Sequence, residues 1–249
     1  MIINNLEALN TISAHSKIII MLPFAGGNSY SYKNIIKFVP AEIIIICPEL
    51  PGRGLLSDKP FITEITNLAD YIFIHWISKL PEGCKYIIFG HSMGALLGYL
   101  LTCKISATRI TQPVRLIVSG RQGPQFLSDR EILHTLPKVD FWNKVRELGG
   151  MPEELLADEL LMKYFEPILR ADFKAVESYQ HVISPKFNIP IGVFYGHDEG
   201  IPIEGINSWN LETTRRVEQM ELLGNHFFIF DHPKIIADYL VKWLVFYIF

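Results

Sequence analysis

Ser92 stands between two glycines in Gly90-His91-Ser92-Met93-Gly94. The apolar run Tyr86–Phe89 precedes this motif and the apolar stretch Ala95–Leu101 follows it. A free serine hydroxyl is a weak nucleophile near neutral pH and needs a base to take its proton. Gly-x-Ser-x-Gly between a strand and a helix is the pattern of a nucleophile elbow, a sharp, strained turn that lifts the hydroxyl above the sheet edge. Residues two positions to either side lie close to such a turn, so glycine is expected at 90 and 94. Gly98, four residues on, would let the following helix approach the sheet. The competing reading of the motif is a tight turn with an incidental serine.

The base expected for this serine is His226, in Leu222-Leu223-Gly224-Asn225-His226-Phe227. It follows the last β-like run and precedes the C-terminal helical stretch, and the order nucleophile, acid, histidine is that of elbow hydrolases. His91 neighbours the serine and is expected to support the site from behind. His232 precedes Pro233, where capping or exposure is expected. An acid that orients and charge-stabilises the histidine should follow the run Ile189–Gly196. There the chain reads Gly196-His197-Asp198-Glu199-Gly200, so Asp198 and Glu199 are both candidates. An oxyanion hole needs backbone N–H donors. The residue after the nucleophile, Met93, should supply one. Ala25, in the loop Pro23–Tyr32 after the first long apolar run, should supply the other, with Gly26 and Gly27 allowing the backbone path.

These residues need a scaffold that places them on one edge. Continuous apolar runs at Lys17–Leu22, Glu42–Cys47, Lys85–Gly90, Val114–Gly120 and Ile189–Gly196 fit strands buried on both faces, as in a parallel sheet. Arg216–Leu222 is less apolar and is expected near an edge. Between runs, Ile65, Leu68, Ala69, Ile72, Trp76 and Leu80 recur at helical spacing. The alternation predicts an α/β fold with right-handed crossovers. It breaks from about Gln125 to Ser184, where two or three helices are expected within Asp140–Gly150, Glu153–Phe173 and Lys174–Ser184, with Gly149-Gly150 and Pro152 as punctuation. The expected organisation is a core over 1–124 and 185–249 with a helical lid inserted over 125–184.

The 249 residues suit one large domain, and 49% hydrophobic residues are enough for a sizeable core. A formal charge of −3 argues against nucleic-acid binding. Three widely spaced cysteines argue against a disulfide framework or zinc site and for a reducing, cytoplasmic setting. The N-terminus lacks the pattern of a secretory signal. Tyr239–Phe249 is apolar but too short to span a bilayer, and Lys242 interrupts it; a terminal helix packed on the sheet is expected. No metal or other cofactor and no membrane partner is expected, and a monomer is.

Taken together, the motifs resemble the type II thioesterases of non-ribosomal peptide and polyketide synthesis, over about Lys17 to Trp243. "LPFAGGNSYSY" resembles that family's oxyanion loop, "PELPGRG" a loop after the next strand, and "GHSMGALLGY" its elbow. "LGGMPEELLADELLMKYFEPILRADFKAVESY" resembles its lid, and "GNHFFI" its histidine motif, usually Gly-Gly-His-Phe. The family usually shows glycine, two residues, the catalytic Asp, and a Trp about ten positions later. In that register Glu199 takes the Asp position and Trp209 the Trp position, which leaves the acid open between Asp198 and Glu199. The resemblance implies an α/β-hydrolase fold and hydrolysis of acyl groups from the phosphopantetheine arm of acyl or peptidyl carrier proteins, clearing misloaded assembly lines. Related enzymes release medium-chain fatty acids. An oxygen-ester carboxylesterase or lipase would use the same triad, and a non-catalytic hydrolase-fold binding protein would lack a working one. Phe141, Trp142, Leu148, Met151, Leu155, Leu156, Leu160, Leu161, Met162 and Phe165 give the lid the apolarity to wall an acyl channel, though most are expected to pack the lid itself. Arg170 and Asp172 are placed to pair within it.

Overall fold

The computed structural model describes residues 1–126 and 131–245. Positions 127–130 of the expected lid and 246–249 of the expected terminal helix lie outside the described residues. Seven strands form one sheet: β1 (Ile2–Ile3), β2 (Lys17–Leu22), β3 (Ile44–Ile46), β4 (Lys85–His91), β5 (Arg115–Ser119), β6 (Ile191–Gly196) and β7 (Val217–Leu222). Their order is β1-β3-β2-β4-β5-β6-β7, and every pairing is parallel. The continuous apolar runs therefore have the physical cause inferred for them: Ile18, Ile19, Ile20, Ile87, Ile88 and Phe89 are all fully buried, successive residues facing opposite layers. β7, the least apolar run, is an edge strand. β1 is an addition. Two residues pairing with Ile45 and Ile46 are too short to leave a periodic signal.

Helices α1 (Lys33–Ile36), α2 (Ile65–His75), α3 (Met93–Ser106) and α8 (Pro233–Val245) cover the sheet. In α2 the buried residues are Ile65, Leu68, Ala69 and Ile72, the i, i+3, i+4, i+7 set read from the sequence. Ten of the 14 residues of α3 are buried, so its stretch reads as apolar all round rather than amphipathic.

After β2 the chain moves to β3 on one side, and β4 then takes the place on the other side of β2. The carboxyl ends of β2 and β4 thus lie side by side at the point where the sheet changes direction, where open parallel sheets form crevices. Between β5 and β6 the chain forms α4 (Lys138–Leu148), α5 (Glu153–Leu156) and α6 (Glu159–Glu177), with α7 (Ile203–Asn207) following β6. Asp158 divides the stretch 153–173: its carboxylate accepts from the N–H groups of Leu160 and Leu161 and starts α6 afresh. The expected two or three helices of this region are α4, α5 and α6, and Lys174–Ser184 forms no separate helix. α6 runs on to Glu177, and residues 179–184 are neither helix nor strand.

Candidate active site

Ser92 is the turn between β4 and α3. Its backbone has φ 55° and ψ −111°, and it is the one non-glycine residue with positive φ among the described residues. Such a conformation costs on the order of 1–3 kcal/mol and persists only where the surroundings enforce it. Here the Ser92 N–H donates to the Ser119 carbonyl of β5 (2.8 Å), and Tyr32 ties the strand ends together. The Tyr32 hydroxyl donates to the Leu22 carbonyl (2.8 Å) and accepts from the His91 N–H (3.2 Å). Both flanking glycines are required by contact: a Cβ at Gly90 would overlap the Gly94 carbonyl, and one at Gly94 would overlap the Leu22 carbonyl.

β6 and β7 end side by side, with Gly196 opposite Leu222. The turn that follows β6 decides between the two carboxylates. The Glu199 N–H donates back to the Gly196 carbonyl (3.2 Å), and the Gly196 N–H donates to Glu199 Oε2 (3.0 Å). This folds the Glu199 side chain under the loop, where it is 3% exposed and its Oε1 hydrogen-bonds His226 Nδ1. Asp198, at the crest of the turn, is exposed; its N–H donates to the Gly224 carbonyl (3.0 Å), and among the described residues its carboxylate makes no hydrogen bond or ion pair. The structure brings Glu199, not Asp198, to His226.

His91 is fully buried beneath His226, with ring centroids 4.8 Å apart. Its Nδ1 hydrogen-bonds the Ser119 hydroxyl (3.0 Å). Burial, reinforced by the neighbouring His226, holds its pKa well below the ordinary imidazole value, so the ring is neutral. His232 is half-buried, with Nε2 on the Leu223 carbonyl (2.8 Å).

The loop after β2 closes as a turn in which the Gly27 N–H donates to the Phe24 carbonyl (2.8 Å) and Gly26 has φ 75°. Positive φ at the third position is what glycine permits. Among the described residues, neither the Ala25 N–H nor the Met93 N–H donates a hydrogen bond. Met93 opens α3, whose N-terminal dipole adds to its electrostatic pull on an anion. Ser92, His226 and Ala25 line one cavity of about 640 Å³.

The far wall of that cavity comes from α4–α6. Leu148, Met151, Leu155 and Phe165 of the residues singled out by sequence line it, joined by Val145, Leu169 and Phe173. Phe141, Trp142 and Leu156 do not line the cavity but pack behind its wall, in one hydrophobic cluster with the lining residues Val145 and Leu169, and Leu160 and Leu161 face solvent. The pairing of Arg170 with Asp172 is not formed. Arg170 lies on Glu166 (3.0 Å) and on the carbonyls of His134 and Leu136, above the Phe141 ring. Asp172 reaches out of the helices to Arg53, with both Arg53 Nη atoms 2.6 Å from its oxygens. Residues three and four apart share a helix face, so Arg170 could reach Glu166 but not Asp172. The partnership of Asp172 with a residue 119 positions away leaves no local signal.

The thioesterase domain family matches residues 17–244. The chain belongs to the thioesterase family. Family membership makes it a hydrolase of thioesters. It is 31% identical over 238 residues to the gramicidin S biosynthesis protein GrsT of Aneurinibacillus migulanus, covering 94% of this chain and 91% of that one. Its fold matches ClbQ from the colibactin NRPS/PKS pathway with a TM-score of 0.84 at 26% identity, over 92% of this chain and 96% of that one. It matches the type II thioesterase BorB from the borrelidin biosynthetic cluster with a TM-score of 0.83 at 25% identity, over 94% of each chain. The α/β-hydrolase fold is thus that of its thioesterase neighbours. Trp209, the position the family register singles out, is fully buried and donates its indole N–H to the Arg121 carbonyl (2.9 Å), a structural role beside the acid loop.

Proposed function

We propose that the chain is a stand-alone type II thioesterase that hydrolyses acyl groups from the phosphopantetheine arm of carrier proteins, with Ser92 as nucleophile, His226 as base and Glu199 as the acid that orients it. The observation that carries this reading is the convergence of Ser92, a Glu199-bound His226 and Ala25 on one cavity largely walled by apolar side chains. The biosynthetic setting of GrsT, ClbQ and BorB, an NRPS/PKS pathway in the case of ClbQ, supports this reading.

Ser92 Oγ attacks the thioester carbonyl while His226 Nε2 takes its proton. Glu199, on Nδ1, fixes the tautomer and stabilises the imidazolium. The neutral state of His91 matters here, because a second cation 4.8 Å away would oppose that charge. The N–H groups of Met93 and Ala25 receive the oxyanion. Collapse breaks the C–S bond, and the pantetheine sulfur leaves as a thiol with the proton held by His226. Water, deprotonated by the same nitrogen, then attacks the acyl-serine, releasing the carboxylic acid and restoring Ser92. No step calls on a metal or redox group. An apolar wall of Leu148, Met151, Leu155 and Phe165 suits an alkyl or acyl chain entering beside Ser92.

The test compares acyl-carrier protein with a p-nitrophenyl ester of the same acyl group. The proposal expects the carrier-bound thioester to be the better substrate by kcat/KM. A preference for the free oxygen ester would favour a carboxylesterase instead. Failure of a fluorophosphonate to label Ser92 would point to a non-catalytic binding protein.

A further inference from the structure

The ion pair between Arg53 and Asp172 is the most completely buried in the molecule among the described residues, with side chains 4% and 0% exposed. It joins three separate segments. Arg53 lies in the loop after β3, Asp172 on α6, and both reach the turn that carries Ala25. Asp172 Oδ2 accepts the Gly26 N–H (2.8 Å) as well as Arg53 Nη1 (2.6 Å). Arg53 Nη1 also donates to the Gly27 carbonyl (3.2 Å). α6 presses on the same turn through Leu169: a Cβ at Gly26 would lie 2.6 Å from Leu169 Cδ2.

The turn runs from Phe24 to Gly27, closed by the Gly27 N–H on the Phe24 carbonyl. Asp172 accepts the Gly26 N–H and Arg53 donates to the Gly27 carbonyl, so the two residues that follow Ala25 are anchored by side chains from α6 and from the loop after β3. The peptide that carries the Ala25 N–H immediately precedes them, and its position follows from theirs. Burying two charges is expensive and an apolar pair often serves stability as well, so a buried pair with this geometry is better explained by what it fixes. Bidentate carboxylate–guanidinium contact adds direction that a lysine cannot reproduce.

We propose that Asp172 and Arg53 are positioning residues for the oxyanion hole: they hold the turn so that the Ala25 N–H faces the cavity, and they tie that donor to α6, whose Leu169 and Phe173 wall the acyl site. The proposal rests on the reading of Ser92 as nucleophile and Ala25 as oxyanion donor. It locates a determinant of the chemical step on the helix that contacts the acyl chain, outside the Ser92–His226–Glu199 set.

The experiment measures kcat and KM on an acyl-carrier protein for Asp172→Asn and Arg53→Lys, normalised to serines titrated to completion with a fluorophosphonate. Arg170→Ala serves as a control, since Arg170 braces the same helix without touching the turn. Positioning predicts kcat per titrated serine lowered about 10- to 100-fold in both variants, with KM within about 3-fold of wild type, because oxyanion donors act in the transition state. Affinity for a trifluoromethyl ketone analogue should fall in parallel, and Arg170→Ala should keep wild-type kcat per titrated serine. If Asp172→Asn does not fold, Arg53→Lys, which retains the charge, carries the same test. A kcat per titrated serine within 2-fold of wild type, with loss confined to melting temperature or to the number of titratable sites, would overturn the proposal. Absence of fluorophosphonate labelling in wild type, or full turnover by Ser92→Ala, would instead overturn the underlying assignment of the nucleophile.

Discussion

The two walls of the cavity are built by different means. On the sheet side, backbone geometry does the positioning. Ser92 is held by a strained turn between β4 and α3, and Glu199 and His226 follow the paired ends of β6 and β7. On the helical side, α4–α6 are positioned by side chains: Leu169 against Gly26, Phe227 against Gly150, and Asp172 on Arg53. A wall set by backbone tolerates almost no change at its turn residues and fixes the chemistry. A wall set by side-chain packing can vary in shape and so set which acyl group fits.

That contrast can be broken most sharply at the acid. Glu199→Gln should lower kcat on the order of 10³–10⁴-fold while leaving the fold intact, because the amide no longer stabilises the imidazolium or fixes its tautomer. Steady-state kinetics with circular dichroism checks it. Next in size is Gly90→Ala. Its Cβ has nowhere to go but into the Gly94 carbonyl, so it should destabilise by about 3 kcal/mol or more, read by chemical denaturation. On the helical wall, Phe165→Ala should change kcat/KM by only about 10-fold, and unequally across acyl lengths. An acyl-chain panel on carrier proteins reads this; equal loss at every length would show that the wall does not sort substrates.

His91 gives a smaller effect on stability. Its folded pKa is depressed, so the unfolded chain binds the proton first and stability is lost as pH falls below about 6.5. Wild type should lose up to about 1.4 kcal/mol per pH unit more steeply than His91→Asn between pH 6.5 and 5. Taking the difference removes the opposing contribution of Glu49, whose pKa burial raises in both proteins. Asp198→Asn should have the smallest effect, with kcat within about 2-fold of wild type, as expected for an exposed loop charge.

The same contrast explains what was legible in the sequence. The sheet-side residues announce themselves because their demands are local. A strained turn needs glycines two residues away, and a doubly buried strand needs an unbroken apolar run. Order and spacing single out Ser92, His226, Met93 and Ala25, and the structure brings Ser92, His226 and Ala25 to one cavity. The choice between Asp198 and Glu199 could not be made that way, since it depends on which carboxylate a four-residue turn folds inward, and on the Gly196 N–H that donates to it. On the helical side, composition revealed apolarity without direction. Phe165 and Leu160 look alike as letters, yet one lines the cavity and the other is 78% exposed. The contact of Asp172 with Arg53 was hidden for a further reason: a nearer cation, Arg170, was present as a decoy two residues away.

The most direct test of the central claim is intact-protein mass spectrometry during turnover of an acetyl-carrier protein, with peptide mapping of any adduct and parallel rate measurement on Ser92→Ala. The account predicts a transient adduct of one acetyl group on Ser92, and a Ser92→Ala protein that folds like wild type and releases acetate no faster than background. Wild-type release by Ser92→Ala, or an acetyl adduct that maps to another residue, would contradict it.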